Sequence, residues 1–500
     1  MPLAAQAQER ASPAGTMETL LVRAAREPIA VEAIGSAATL LDQSNLAQRQ
    51  LAPLGEILRS VPGLAVSRVG VMGAQTQLRM RGSEANQVLV LIDGIRANDP
   101  AQNDEFNIAH VLNYDIESVE IIRGPQSALW GTDAMAGVID IRTGGGAGSS
   151  RSSMFAETGS NDWQNIGAKT GLGGDRWTAS GSVNSLSTSG ENLSRQGSED
   201  DGYENLSSNL GLRLEVSDAV AIDASLRYTD ARNEFDRIDF TTGLPTDSAN
   251  RTDVTQLYGQ LSALVDTLDG RWTHRLRYAH TVTENSNRGE NSFAPSGFDE
   301  TRADADIAHL SYQSSFFLNE AHRVTMAVER QEQDFSQRGP ASAFGDPNRD
   351  ESISINSFIA EYGAELTTSL SLLLSARHDA NSDFQNASTG RASVAWHPFG
   401  ETSGTKLRAS YGTGVKNPTF TDRFGFFTNF TGNPDLKPET SRGWDAGIDQ
   451  QLLGDRLSLS ATWFEARLED EINGFVFDPD SGGFTSANED GRSDRRGLEV

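Results

Sequence analysis

Between residues 151 and 500, apolar and polar side chains alternate along many stretches that are separated by turns rich in Gly, Ser, Asn and Asp. One stretch has apolar residues at every second position: Leu210, Leu212, Leu214 and Val216. After a turn at residues 217–218 the alternation resumes and continues to Tyr228. Because successive side chains of a β-strand point to opposite faces, this pattern predicts an antiparallel hairpin with one apolar and one polar face.

The same alternation recurs around Leu276, Leu407 and Leu459, with arginines at several polar positions. A soluble β-sandwich would also alternate. A transmembrane barrel with a wet interior explains more, because aromatic residues lie near strand ends and short turns alternate with long polar loops. At about 20 residues for each strand with its turn or loop, residues 151–500 would form roughly 16 strands.

The N-terminal region has a different pattern. Two short apolar runs, at residues 88–92 and 119–122, each lead to a glycine turn, and the second turn is Gly124-Pro125. These runs predict a small buried sheet. No apolar run in the chain approaches the roughly 18 residues that a membrane-spanning helix requires.

Four motifs accompany these runs in a fixed order. They are VPGLAV (61–66), LRMRG (78–82), LIDG (91–94) and RGPQSALWG (123–131). The series resembles the plug domain of TonB-dependent outer-membrane receptors. The resemblance implies an all-β transmembrane barrel, of 22 antiparallel strands in the family and incomplete here, with an N-terminal α+β plug domain inside its lumen. It also implies that Arg81 and Arg123 form structural ion pairs between plug and barrel wall.

The resemblance divides the chain into four segments. Residues 1–16, which contain an Ala-Gln-Ala sequence, would be a signal-peptide remnant, and residues 17–27 would contain the TonB box. Residues 28–148 would be the plug, and residues 149–500 a barrel truncated at its C-terminus. We expect a monomer in the outer membrane of a Gram-negative bacterium, in contact with lipid and lipopolysaccharide, with the N-terminal segment in the periplasm.

Composition narrows the classes of partner. The formal net charge of −27 argues against nucleic acid, whose phosphates would be repelled. The absence of cysteine excludes a disulfide scaffold and cysteine-based redox chemistry. The chain has no HExxH, GxSxG or P-loop pattern, and its seven histidines are scattered. We therefore expect no enzyme activity and no redox or catalytic cofactor.

The TonB box implied by the resemblance consists of Glu18, Thr19, Leu20, Leu21 and Val22. An unpaired strand of this kind can add to the edge of a partner's sheet through main-chain hydrogen bonds. The expected partner is the periplasmic domain of TonB, energised by the ExbB–ExbD complex. The alternative for this segment alone is an N-terminus without defined structure.

Within the family, the chain most resembles the cobalamin-transporting branch. That likeness places substrate contacts on the plug at Gln77, Glu84, Gln102 and Asn103, which can hydrogen-bond to amide groups. The alternative is that these polar residues simply face water. A ferric siderophore is the second candidate cargo, for which an aromatic pocket could come from Phe424, Phe426, Phe427 and Phe430. A nickel chelate or an oligosaccharide remains open.

The same likeness implies a calcium site. Acidic segments at residues 198–203, 233–240 and 252–258 resemble the loops that hold calcium in cobalamin receptors. Carried over, the ligands would be Glu199, Asp201, Asp236 and Asp253, with Glu191 or Asn192 and Asp239 as additions. Calcium accepts six to eight oxygen ligands in irregular loops. The alternative is that these carboxylates are solvated loop residues.

A passive surface barrel or adhesin would also explain the alternation and the acidity. It would leave the plug motifs and the TonB-box-like segment unexplained. The sequence therefore predicts TonB-dependent active transport, in which substrate binding outside rearranges the plug and exposes the TonB box.

Overall fold

The structure is a computed structural model that describes residues 21–22, 25–49, 52–144, 151–195, 197–239, 241–291, 296–341, 346–400, 403–427, 429–453 and 456–500. Within these residues, the N-terminal domain has nine strands: β1 (Leu21–Val22), β2 (Ile29–Ala30), β3 (Ala38–Asp42), β4 (Leu64–Arg68), β5 (Thr76–Met80), β6 (Val88–Ile92), β7 (Ile95–Arg96), β8 (Ile116–Arg123) and β9 (Gly137–Thr143). Its α-helices are α1 (Gln43–Arg49), α2 (Leu54–Leu58) and α3 (Ser127–Trp130). Its 3₁₀ turns are Val31–Ala33, Ala85–Gln87, Pro100–Gln102, Ile108–His110 and Asn113–Asp115.

A five-stranded sheet forms the centre of this domain, in the order β3-β8-β9-β6-β7. Strands β6 and β9 are parallel, whereas the other neighbours are antiparallel. The apolar run at residues 88–92 forms β6, and all five of its residues are buried. Val88, Val90 and Ile92 pack with Ile121 and Ile139 in one apolar core, whereas Leu89 and Leu91 pack with Ala134 and Val138 in a second one. The small buried sheet predicted from the sequence is therefore confirmed.

The larger domain is one antiparallel sheet of sixteen strands, counted within the described residues. In sheet order the strands are β10 (Arg151–Thr158), β11 (Gln164–Gly174), β12 (Trp177–Glu191), β13 (Asp201–Ser217), β14 (Val220–Ile238), β15 (Pro245–Thr267), β16 (Trp272–Glu290), β17 (Phe298–Asn319), β18 (His322–Arg338), β19 (Arg349–Thr367), β20 (Leu370–Asn381), β21 (Ala387–Trp396), β22 (Thr405–Lys416), β25 (Glu439–Leu452), β26 (Leu457–Glu469) and β29 (Arg492–Glu499).

The two faces of this sheet have opposite chemistry. Leu210 on β13 is 62% exposed, whereas its neighbour Asn209 is only 7% exposed. The apolar residues of the predicted hairpin thus point outward and the polar ones point toward the enclosed plug, which is the arrangement of a barrel in lipid. The predicted fold class is confirmed. None of the described helices has the length and apolar character needed to cross a membrane.

The plug lies inside the barrel, because its side chains contact the wall on several sides. Asp115 pairs with Arg227 on β14 at 3.1 Å, and Ser36 hydrogen-bonds to Arg391 on β21. Further round the wall, Arg81 pairs with Asp445 on β25 and Glu499 on β29, at 3.2 and 2.9 Å. Arg123 lies 4.0 Å from the same Glu499 carboxylate. The predicted structural role of Arg81 and Arg123 is confirmed.

The strands are joined by short turns at one end and longer loops at the other, which we call the turn end and the loop end. At the loop end, helix α4 (Phe420–Phe424) and strands β23 (Phe426–Phe427), β24 (Phe430–Thr431), β27 (Ile472–Asp478) and β28 (Gly483–Asn488) form a small cap. The four strands make one sheet. Phe426 and Phe430 are buried in this cap, and Phe430 stacks on Phe427 at 4.5 Å. These aromatic residues therefore form a loop core.

Candidate functional site

An acidic cluster lies at the loop end of the barrel, where the β12–β13 and β14–β15 connections meet. Glu199 lies between β12 and β13, Asp236 near the end of β14, and Asp247 near the start of β15. Each contributes a carboxylate oxygen, and these oxygens lie within 4.8 Å of one another. Asp201 adjoins them, and its carboxylate and that of Glu234 act electrostatically on Glu199. Five carboxylates are thus concentrated in one place.

Backbone N–H groups hold part of this cluster in position. Asp236 accepts hydrogen bonds from the N–H groups of Ser194 and Ser248, at 2.9 and 3.0 Å. The Asn192 amide donates to Asp247 at 3.0 Å. Other oxygens have no donor within the described residues: Asn192 Oδ1, Glu199 Oε2 and Asp201 Oδ1 are buried and unpaired. Burial, together with the nearby charges of Asp201 and Asp236, raises the pKa of Glu199 to about 7.

This arrangement suits a hard cation. Some of its buried oxygen acceptors have no donor among the described residues, and its carboxylates repel one another. Both features cost free energy, and a bound divalent ion would remove both costs. Calcium takes six to eight oxygens, including carboxylate and amide oxygens, in irregular geometry. The residues present therefore fit calcium.

The structure does not bring Asp253 into this cluster. The segment at residues 252–258 lies inside β15 rather than in a loop, and Asp253 is on its outward face. There it pairs with Arg232 at 2.6 Å and Arg251 at 3.0 Å. Its assignment as a metal ligand is corrected, because β15 is longer than the sequence suggested and a register shift between β14 and β15 separates Asp253 from the end of the hairpin that holds the cluster.

Asp247, and not Asp253, lies with Glu199 and Asp236 in the acidic cluster. The signal for it was the polar turn that precedes β15, which brings Asp247 close to Asp236 across the hairpin. Asp239 instead accepts hydrogen bonds from the backbone of Thr241 and Thr242 in its own turn, at 2.9 and 2.8 Å. Asn192, a secondary candidate, adjoins the cluster through Asp247.

The acidic cluster lies next to a plug loop. Tyr203, two residues after Asp201, is fully buried and its hydroxyl lies 3.1 Å from Nδ1 of His110 in the plug. Its ring packs against Gly73 at the tip of the β4–β5 hairpin, where a Cβ atom would overlap with the ring. Burial lowers the pKa of His110 to about 4, so this imidazole is neutral at pH 7. Loop end and plug tip are thus in direct contact.

The predicted substrate residues lie in three parts of the plug. Gln77 on β5 donates to Glu105 at 2.7 Å and accepts from Arg79 at 2.7 Å. Gln75 also donates to Glu105, at 3.0 Å. Burial raises the pKa of Glu105, and these hydrogen bonds oppose the shift. The β4–β5 hairpin and the loop after β7 are therefore linked through Glu105, a residue that the sequence analysis did not select.

Asn103 accepts a hydrogen bond from Thr419, which caps helix α4, at 2.6 Å. The adjacent Asp104 pairs with the buried Lys416 at 2.6 Å, and Lys416 also pairs with Asp133 at 2.8 Å. Gln102, half-buried, lies in the same loop. Glu84 lies elsewhere, near Glu471 and Arg495 of the barrel. The structure thus groups Gln102 and Asn103, and places Glu84 apart from them.

The TonB-box segment is only partly described. Glu18, Thr19 and Leu20 lie outside the described residues. The backbone of Leu21 and Val22 forms β1, which pairs antiparallel with β2. An unpaired strand was expected here, whereas the structure pairs this strand within the chain.

Comparison with known protein families gives the class. A family model described as "TonB dependent receptor-like, beta-barrel" matches residues 150–500. A second, described as "TonB-dependent Receptor Plug Domain", matches residues 30–138. The chain belongs to the TonB-dependent receptor family. It is therefore an outer-membrane protein that acts with a TonB partner on a ligand, and this family consists of transporters and receptors rather than enzymes.

Individual relatives differ in cargo. The chain is 27% identical over 447 residues to the vitamin B12 transporter BtuB of Vibrio vulnificus, a match that covers 86% of this chain and 67% of the relative. Among solved structures it resembles the siderophore receptor PirA of Acinetobacter baumannii, with a TM-score of 0.74 and 17% identity. The match covers 93% of this chain and 77% of PirA. It also resembles a ferric enterobactin receptor mutant from Pseudomonas aeruginosa, with a TM-score of 0.73 and 17% identity. That match covers 92% of this chain and 76% of the receptor. At these identities, the structural likeness concerns the fold.

Proposed function

We propose that this protein imports cobalamin (vitamin B12) across the outer membrane by TonB-dependent active transport. The observation that carries the proposal is the acidic cluster of Glu199, Asp236 and Asp247. The nearby Tyr203 packs against Gly73 at the plug tip. Its support is the sequence relationship to a vitamin B12 transporter over 86% of the chain. A ferric siderophore is the second candidate, because solved siderophore receptors share the fold.

Calcium has a structural part in the proposal. It would be held by Glu199, Asp201, Asp236 and Asp247, with the Asn192 carbonyl as a further ligand. Joining the β12–β13 and β14–β15 connections in this way fixes the loop end around Tyr203, which in turn packs against Gly73 of the plug. The loop end is then ordered before cargo arrives, which lowers the entropy cost of binding.

Cargo would contact the upper surface of the plug. Gln77 and Gln102 offer amide groups, while Asn103 and Glu84 border the cap and the barrel wall. Amide and carboxylate groups can exchange hydrogen bonds with the amide side chains on the rim of a corrin ring. Displacing the bonds of Gln77 to Glu105 and of Asn103 to Thr419 would connect cargo binding to both plug loops.

Transport then requires coupling to the periplasm. Cargo binding would shift the plug between two states and release β1 from β2, so that residues 18–22 can pair with TonB. The ExbB–ExbD complex would supply energy from the inner membrane, and TonB would pull the plug without any covalent chemistry. The receptor would act as a monomer surrounded by lipid and lipopolysaccharide.

Binding of cyanocobalamin to the full-length receptor in detergent tests this proposal, with calcium and then with chelator. Tight binding that weakens on chelation is the expected result. Asp236→Asn should lower the calcium effect, whereas Asp253→Asn, a matched change on the outward face, should leave it unchanged. If the receptor binds a ferric siderophore but not cyanocobalamin, the cobalamin assignment is contradicted and the second candidate is favoured.

A further inference from the structure

A cavity between the plug and the barrel wall is lined by an unusual set of charges. Its volume is about 100 Å³, and five arginines line it: Arg26, Arg96, Arg275, Arg277 and Arg377. The carboxylate in its lining is that of Glu329. The whole chain carries a net charge of −27, so this concentration of positive charge does not follow from composition.

Three of these arginines are neutralised by carboxylates. Arg26 and Arg377 pair with Glu329 at 2.6 and 2.9 Å, and Arg96 pairs with Asp133. Arg275 and Arg277 have no ion pair in the part of the chain that the structure describes. Arg277 donates to the carbonyl of Gly94 in the plug, at 2.5 Å. Among the described residues, two guanidinium groups of the cavity therefore have no carboxylate within ion-pair distance.

Unpaired hydrogen-bond donors border the same cavity. Arg277 Nε, Gln331 Nε2 and Trp130 Nε1 are buried and have no acceptor among the described residues. Arg26 Nε is a fourth. Buried donors without acceptors cost free energy, and a group rich in acceptor oxygens would remove that cost. All four unpaired atoms are donors, so a ligand that satisfies them must supply acceptor atoms. Together with the positive charge of the cavity, this favours an anion.

We propose that this cavity is a binding site for an oxyanion of the phosphate class, held by Arg277, Gln331 and Trp130 with charge from Arg275. Guanidinium groups bind phosphate oxygens through paired N–H donors. The cavity lies at the seam between plug strands β6 and β7 and barrel strands β16–β18, so cargo that passes beside a displaced plug meets it. Two sources can supply the anion: the phosphodiester of a cobalamin cargo, which rests on the proposed function, or free inorganic phosphate.

Calorimetric titration of the full-length receptor in detergent with inorganic phosphate tests the site directly. Saturable binding should weaken at least about tenfold in Arg277→Gln, because one charge-assisted contact is lost. Gln331→Ala is a milder change, expected to weaken binding several-fold. Arg302→Gln is the matched control, since Arg302 is exposed and pairs with Asp304 and Glu284. No saturable binding, or equal binding by wild type and both cavity variants, would overturn the proposal.

Uptake of two corrinoids separates the sources. Cyanocobalamin contains the phosphodiester and dicyanocobinamide lacks it. If cargo supplies the anion, Arg277→Gln slows uptake of cyanocobalamin alone; if free phosphate supplies it, both corrinoids enter the variant at wild-type rates. If Arg277→Gln slows the uptake of both corrinoids equally, the substitution affects the packing of the plug in general. That result would contradict binding of the cargo phosphodiester in the cavity. If wild type imports neither corrinoid, the proposed function fails, while phosphate titration still decides on the site.

Discussion

The guanidinium of Arg26 lies 2.6 Å from a carboxylate oxygen of Glu329, and this ion pair fixes the segment after β1 to the barrel wall. The same guanidinium donates to the Leu129 carbonyl of the plug and lies over the Trp130 ring. Its backbone N–H donates to Glu361 at 3.1 Å. One residue therefore joins the N-terminal segment, the plug and the barrel.

Breaking this contact should release the N-terminal segment. Glu329→Gln leaves the buried charge of Arg26 without its partner, a loss of about 3–5 kcal/mol for buried pairs. The chain has no cysteine, so Leu21→Cys provides a single site for a spin label. We expect the label to become more mobile in Glu329→Gln.

The control for that measurement is Glu332→Gln on the same strand. Glu332 pairs with Arg330 in the exposed outward layer, where ion pairs contribute little. It should leave the label's mobility unchanged. Equal spectra for wild type and Glu329→Gln would contradict the role given to Arg26.

Calcium binding should depend on pH through Glu199. Its pKa of about 7 lies above the ordinary value of 4.5, so the proton stabilises the folded loops, and this contribution is lost as pH rises through 7. Calcium requires the ionised form and competes with that proton. Apparent calcium affinity should therefore fall below pH 7, by up to about tenfold per pH unit.

Glu199→Gln tests the assignment of this pH dependence. The variant should bind calcium more weakly at pH 8 and show a flatter profile between pH 6 and 8. Calcium titrations of the two proteins at each pH measure both effects. A profile that keeps its full slope in Glu199→Gln would assign the proton to another group.

Gly73→Ala should disturb the contact between plug tip and barrel. Gly73 has a φ of 82°, and an added Cβ would overlap with the Tyr203 ring. Gly243→Ala is the matched control, because Gly243 has a φ of 69° but has no atom within 4 Å of the added Cβ. The control carries only the left-handed backbone cost of about 1–2 kcal/mol.

Cyanocobalamin affinity and thermal unfolding of both variants measure this difference. We expect Gly73→Ala to weaken binding by about tenfold or more, since two buried surfaces must separate to admit the methyl group. Similar losses in Gly73→Ala and Gly243→Ala would show that backbone strain, rather than the Tyr203 contact, sets the effect.

The fold was largely predictable because its signals are local. Alternation around Leu210 identified the lipid-facing side of a strand, and the run at residues 88–92 identified β6. The order of the plug motifs gave the resemblance to a family in which the plug lies inside the barrel. That arrangement in turn predicted the ion pairs of Arg81 and Arg123 with the barrel wall. These features depend on periodicity and on a resemblance, both of which the sequence contains.

The sites were less predictable because they depend on register between strands. Asp247 and Asp253 lie six residues apart, yet one joins the acidic cluster and the other pairs with Arg232 outside the barrel. The exact length of β15 and the register shift in β14 decide between them. The cavity was beyond prediction for a related reason, since Arg277 and Trp130 meet only when plug and barrel pack together.

Uptake of labelled cyanocobalamin by receptor-deficient cells that express this protein, with and without TonB, tests the central claim most directly. We expect accumulation only when TonB is present. Leu21→Pro, which deletes a main-chain donor, should bind cyanocobalamin but not import it, while Leu21→Ala should import normally. Accumulation without TonB, or normal uptake by Leu21→Pro, would contradict TonB-dependent transport through this segment.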